Sequence, residues 1–83
     1  SAVLVAADLT DAKLDDASLR GADLTNADLT GIDLTRTSLV SAKMVGANLT
    51  NANLGGVDLF LADMTGANLA GANLAQAKLR HVH

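Results

Sequence analysis

Cysteine, proline, tryptophan and tyrosine are all missing from these 83 residues, and Phe60 is the one aromatic side chain. Without cysteine there are no disulfides and no thiolate metal sites, and the redox compartment stays open. Without proline every peptide unit keeps its N–H, as a backbone committed to hydrogen-bonded ladders requires. With one ring in the chain, the 49% of residues that are apolar must fill a narrow interior with small and branched aliphatic groups. No apolar run approaches the roughly 20 residues of a membrane-spanning helix. No signal-peptide pattern is visible either, which favours the cytoplasm. The formal net charge of −3 argues against nucleic-acid binding.

What the chain does have is one five-residue unit, seen plainly in Ala22-Asp23-Leu24-Thr25-Asn26 and again in Ala27-Asp28-Leu29-Thr30-Gly31. Sixteen units run in register from Ala2 to His81, centred on Leu4, Leu9, Leu14, Leu19, Leu24, Leu29, Leu34, Leu39, Met44, Leu49, Leu54, Leu59, Met64, Leu69, Leu74 and Leu79. Two places before the centre stands Ala, except for Ile32, Thr37 and Val57. Immediately before the centre, ten of the sixteen residues are Asp or Asn.

A period of five suits neither regular element. On a helix, at about 100° per residue, the central residues would scatter around the axis. On a flat strand an odd period would send them alternately to core and to water. Both conflicts vanish if the chain turns a corner once per unit. Ala and Leu then point inward from a short extended segment, the Asp or Asn between them points out, and Thr with Gly or Asn takes the bend. Four such segments close a square of about twenty residues, and stacking at roughly 4.8 Å per coil makes four coils a rod about 20 Å long. The sixteen central residues are the expected core.

The run of A(D/N)LXX units resembles the pentapeptide-repeat proteins, over essentially the whole chain. The resemblance implies an all-β fold, a right-handed quadrilateral parallel β-helix of about four coils of four units, as a single domain over residues 1–83. A solenoid of this kind buries its core between neighbouring repeats, so a short chain suffices. The resemblance transfers the inward Leu, Met and Ala and no catalytic, cofactor-binding or metal-binding residue.

Stacking units twenty residues apart lets the outer columns be read directly. Asp23, Lys43 and Asp63 alternate in sign, which predicts a ladder of weak ion pairs. Asp8 and Asp28 should repel, whereas Asn48 and Asn68 can share side-chain hydrogen bonds. Acidity is concentrated early: Asp8, Asp11, Asp15 and Asp16 surround Lys13, and the residues up to Ser41 carry seven acids against three bases. Such a stretch reads first as a solvated surface and alternatively as an electrostatic handle for a basic partner. Val3 and Val5 put apolar groups where other units are polar, which suits a covered end or an end-to-end contact between subunits. An open parallel edge after Leu79 invites the same pairing. Met44 and Met64 read as gap-fillers in the inner column.

Phe60-Leu61 is the sharpest departure, standing where other units carry Thr, Gly or Asn. Stacked beside Val40, with Arg20 and Arg80 closing the column, the pair forms an apolar patch rimmed by cations: Val40, Phe60 and Leu61. That composition matches interaction hot spots. His81 and His83 alternate at the end without further ligands, so no metal site is expected. No nucleophile–base pair and no phosphate-binding glycine loop occurs, and the aspartates recur because the unit recurs. The chain therefore reads as a non-enzymatic structural and protein-interaction module, a rigid rod-like scaffold with an unidentified protein partner and no cofactor. The alternative comes from the resemblance: some relatives mimic duplex DNA, bind DNA gyrase and confer quinolone resistance.

Overall fold

The structure, a computed structural model, describes residues 2–14 and 18–83. Asp15 and Asp16 of the acidic stretch lie outside the described residues, as does Ser1. Parallel bridges join Val3 to Asp23, Asp23 to Lys43 and Lys43 to Asp63, and likewise Asp8, Asp28, Asn48 and Asn68 in succession. Every such step is twenty residues, so one circuit of the chain takes four units. For orientation the four sides are named by their buried centres: the Leu24, Leu29, Leu34 and Leu39 sides.

Among the described residues every unit but the one centred on Leu14 gives a single bridge residue and no longer strand, because two of its five residues are spent on the corner. The corner is a β-turn. The carbonyl of the central residue accepts from the N–H three places on, as in Ala27 to Leu24 at 3.0 Å and Ala47 to Met44 at 3.1 Å. At most corners the third turn residue has positive φ, which is the type II geometry, as with 58° at Asn26, 69° at Gly31 and 61° at Leu61; Asp11 and Arg36 are the described exceptions. Between circuits the bonds repeat by position. Leu24 N–H donates to Lys43 O at 2.6 Å, Asn26 N–H to Val45 O at 2.9 Å, and Asp23 N–H to Ala2 O at 2.9 Å. The pattern runs on to Val82 and His83, which take the Ala and Asp/Asn places over Ala62 and Asp63, with His83 N–H on Ala62 O and Met64 N–H on His83 O.

Leu24, Leu29, Leu34, Leu39, Met44, Leu49, Leu54 and Leu59 are fully buried, and Leu19 nearly so. Burying each contributes about 1.5–3 kcal/mol. Leu4, Leu9, Leu14, Met64, Leu69 and Leu74 are half-buried against this core. Leu79 departs from the expected core, at 51% exposed. A central side chain is sealed by the circuits before and after it, and no described circuit stacks on Leu79.

Thr37 is buried and donates its hydroxyl to Leu14 O at 3.1 Å, which removes the cost of its polar atom. Where Thr37 stacks with Val57 in place of two alanines, no Ser38–Asp58 bridge closes among the described residues. The bulk that the sequence places there loosens the ladder at that step. Extents of 26 × 25 × 21 Å make the molecule a block as wide as it is long, so the rod-like shape expected from stacking is corrected: the stack is no longer than its own width.

Candidate interaction surface

Three sides of the solenoid repeat one local hydrogen-bond device. The Asp or Asn before each centre turns its Oδ1 onto the residue two places on. Asp23 accepts from the Thr25 N–H at 3.1 Å and its hydroxyl at 2.6 Å, and Asn48 accepts from Thr50 at 3.0 and 2.6 Å. Asp28, Asp33 and Asp63 do the same with Thr30, Thr35 and Thr65. This is an Asx turn closing the corner, and it explains both the acidic residue and the threonine. Those threonine donors hold the carboxyls of Asp8, Asp23, Asp33 and Asp63 below the ordinary value of 3.8. At Asp8 the Thr10 backbone N–H is the larger cause; at the other three the threonine hydroxyl is. Lys43 is a lesser, distant influence on Asp23 and Asp63, so the expected ladder of ion pairs gives way to bonds within each unit. The shared asparagine bond appears on the Leu34 side, where Asn73 Nδ2 donates to Asn53 Oδ1 at 3.2 Å.

The Leu39 side breaks this pattern. Its outward residues are Ser18, Ser38, Asp58 and Lys78, and its first corner residues are Arg20, Val40, Phe60 and Arg80, with no threonine among them. Backbone bonds fix the order of that corner column: Gly21 N–H donates to Val40 O at 2.9 Å, Ser41 N–H to Phe60 O at 2.8 Å, and Leu61 N–H to Arg80 O at 3.4 Å. Asp58 still closes its turn, accepting the Phe60 N–H at 3.0 Å. The Leu39 side has no threonine at any of these corners and carries the largest side chains there, Arg20, Phe60 and Arg80.

The structure brings Val40, Phe60 and Leu61 together, and adds to them. Val40 and Phe60 are half-buried and Leu61 is 48% exposed. The Arg80 guanidinium carbon lies 5.4 Å from the Phe60 ring centre, a cation–π stack, and His81 meets the same ring edge-on at 5.7 Å and 79°. Asp58, Phe60, Lys78 and Arg80 line a shallow cleft of about 200 Å³. The sequence reading placed Arg20 and Arg80 at the rim and left Lys78, Asp58 and His81 out of the patch. The signal was the twenty-residue step, which sets Lys78 on Asp58 and His81 on Leu61. A larger concavity, about 470 Å³, is lined by Thr10, Asp11, Lys13, Ile32, Asp33 and neighbours, directly before residues 15–17. Among the described residues no cluster of His, Cys, Asp or Glu could hold a metal ion, and no helix is long and apolar enough to cross a membrane.

Comparison with known proteins follows the same lines. A sequence profile described as pentapeptide repeats matches residues 2–39 and 42–81 in eight copies. A solved pentapeptide repeat protein of the Arabidopsis thaliana thylakoid lumen is 32% identical, with a TM-score of 0.75 over 78% of this chain and 45% of its own. HetL from Nostoc sp. strain PCC 7120, described as involved in regulating heterocyst differentiation, is 33% identical, with a TM-score of 0.61 over 96% of this chain and 37% of its own. Another pentapeptide repeat protein from Nostoc PCC 7120 is 34% identical, with a TM-score of 0.63 over 90% of this chain and 62% of its own. The chain thus spans less than two thirds of each of these relatives. No curated protein gives a significant match.

Proposed function

The chain belongs to the pentapeptide-repeat family, whose fold is the right-handed quadrilateral β-helix, and from that premise we propose a non-enzymatic interaction module of about four coils of four units. The observation that carries this reading is the Leu39 side. There the residues that close corners elsewhere are replaced by Phe60, Leu61 and cations. Leu61 is the clearest case, a large apolar side chain half-exposed and held at φ 61°. The repeat requires positive φ at this corner, and leucine costs about 1–2 kcal/mol there where glycine or asparagine serves at other corners. End-to-end association of subunits belongs to the same proposal.

DNA mimicry toward gyrase has no observation in its favour. The acidic outer columns are interrupted by Lys43 and Lys78, and the carboxylates serve their own corners. One relative comes from the thylakoid lumen, so the cytoplasmic expectation does not extend to the whole family. The test uses immobilised protein beside its Leu61→Asn and Phe60→Ser variants. The module reading expects proteins retained by the original chain and lost from both variants, with no effect on gyrase supercoiling in the presence or absence of a quinolone. Identical retention by all three, or inhibition of gyrase at micromolar levels, overturns it.

A further inference from the structure

Resting on that reading, we propose that the Leu39 side docks an acidic, extended peptide segment of its partner. Charge sets the sign. In a chain of net charge −3, this side carries Arg20, Lys78 and Arg80 against one carboxylate, Asp58, and that carboxylate already accepts the Phe60 N–H. The cleft between Lys78, Arg80 and Phe60 is open and shallow, of a size for a single carboxylate side chain rather than a small-molecule cofactor. Arg80, stacked on the ring, is pre-set in position, so less side-chain freedom is lost when it takes a carboxylate.

Geometry sets the spacing. Arg20, Val40, Phe60 and Arg80 follow one another across successive circuits. At roughly 4.8 Å per step, the backbone positions of Arg20 and Arg80 stand about 14 Å apart. An extended peptide advances about 3.4 Å per residue and alternates its faces. Residues i and i+4 therefore span that same distance on one face, with i+2 between them. The partner segment accordingly carries acids at i and i+4, facing Arg80 with Lys78 at one end and Arg20 at the other. An aliphatic residue at i+2 lies on Val40, Phe60 and Leu61.

The test is fluorescence anisotropy with a labelled peptide of sequence Glu-Ser-Leu-Ser-Glu, beside Gln-Ser-Leu-Ser-Gln, a Ser-Glu-Leu-Glu-Ser register control and a single-stranded thymidine oligonucleotide. Binding is expected for the first peptide, weakening as salt rises, and about tenfold poorer for the glutamine and register controls. Arg80→Glu and Lys78→Glu each weaken it by a similar factor, while Lys43→Glu on the Leu24 side leaves it unchanged. Circular dichroism checks that every variant keeps the fold, and Arg80→Gln replaces Arg80→Glu if it does not. Equal binding of the glutamine peptide, lost in Leu61→Asn, overturns the acidic partner but keeps the interaction module. Preference for the oligonucleotide, binding indifferent to Lys78 and Arg80, or no binding of any peptide overturns the inference outright. So does acid-dependent self-association, seen by sedimentation, as the only interaction of this side; the module reading is then decided by its own retention experiment.

Discussion

The Leu39 side and the other three share one core and one ladder and differ in what holds their corners. On the Leu24, Leu29 and Leu34 sides threonine stands at some corners, and wherever it follows an outward Asp or Asn the two are bound to each other and spent on the fold. On the Leu39 side the corner at Phe60 keeps the backbone half of that device without the hydroxyl, as the corners at Gly55, Ala70 and Ala75 also do, but fills the vacated place with a large apolar ring instead of a small residue. What the repeat relinquishes there becomes available for an aromatic, an exposed leucine and three cations. In a repeat protein, residues that break the unit without serving the fold are the ones to examine for function.

The comparison can be broken at its shared foundation first. Leu49→Asp places a carboxylate in a fully buried position, with an expected loss of more than about 4 kcal/mol and no cooperative thermal melt by circular dichroism. A retained transition refutes the inward register of all four sides. Next, Asn48→Ala removes the acceptor of two hydrogen bonds from Thr50 and should cost about 1.5 kcal/mol in urea denaturation. Ser38→Ala on the Leu39 side should stay within about 0.5 kcal/mol. Equal costs erase the distinction between sides. Leu61→Asn tolerates the left-handed corner better than leucine, as Asn26 and Asn51 do, and should raise stability by about 0.5–1 kcal/mol while weakening partner binding. A destabilised Leu61→Asn places Leu61 among the residues the fold needs.

The smallest effect expected is in acid, since each carboxyl concerned is solvent-exposed. The folded values of Asp8, Asp23, Asp33 and Asp63 lie below 3.8, so their contribution is present above that value and is lost as pH falls through the lowered folded values. Thermal midpoints should hold steady above the ordinary carboxylate range and decline below it. Thr25→Val, which deletes the larger cause at Asp23, should raise that carboxyl's titration by NMR. No movement at Asp23 means that the hydroxyl does not govern it.

The period of five alone made the corner, the inward Leu and Ala and the twenty-residue circuit legible, because no straight element can bury centres at that spacing. Asp23 and Thr25 were read as outward and corner residues separately. Their bond was hidden because it depends on the backbone path between them. Lys43 looked like an ion-pair partner in its column, yet Asp23 had a nearer donor in its own unit. Phe60 and Leu61 stood out as departures, while the stacking of Arg80 and His81 on the ring needed coordinates.

Sequence by itself determined the unit, its register and which residues face the core, since burial obeys periodicity and periodicity is written in the chain. Tertiary structure decided what lies beside what across circuits: which centres are sealed on both sides and which, like Leu79, are not; where Thr37 and Val57 loosen the ladder; and how one side gathers an aromatic ring and its cations. Those outcomes depend on distances between residues twenty apart and on side-chain directions, and neither is a property of any single unit.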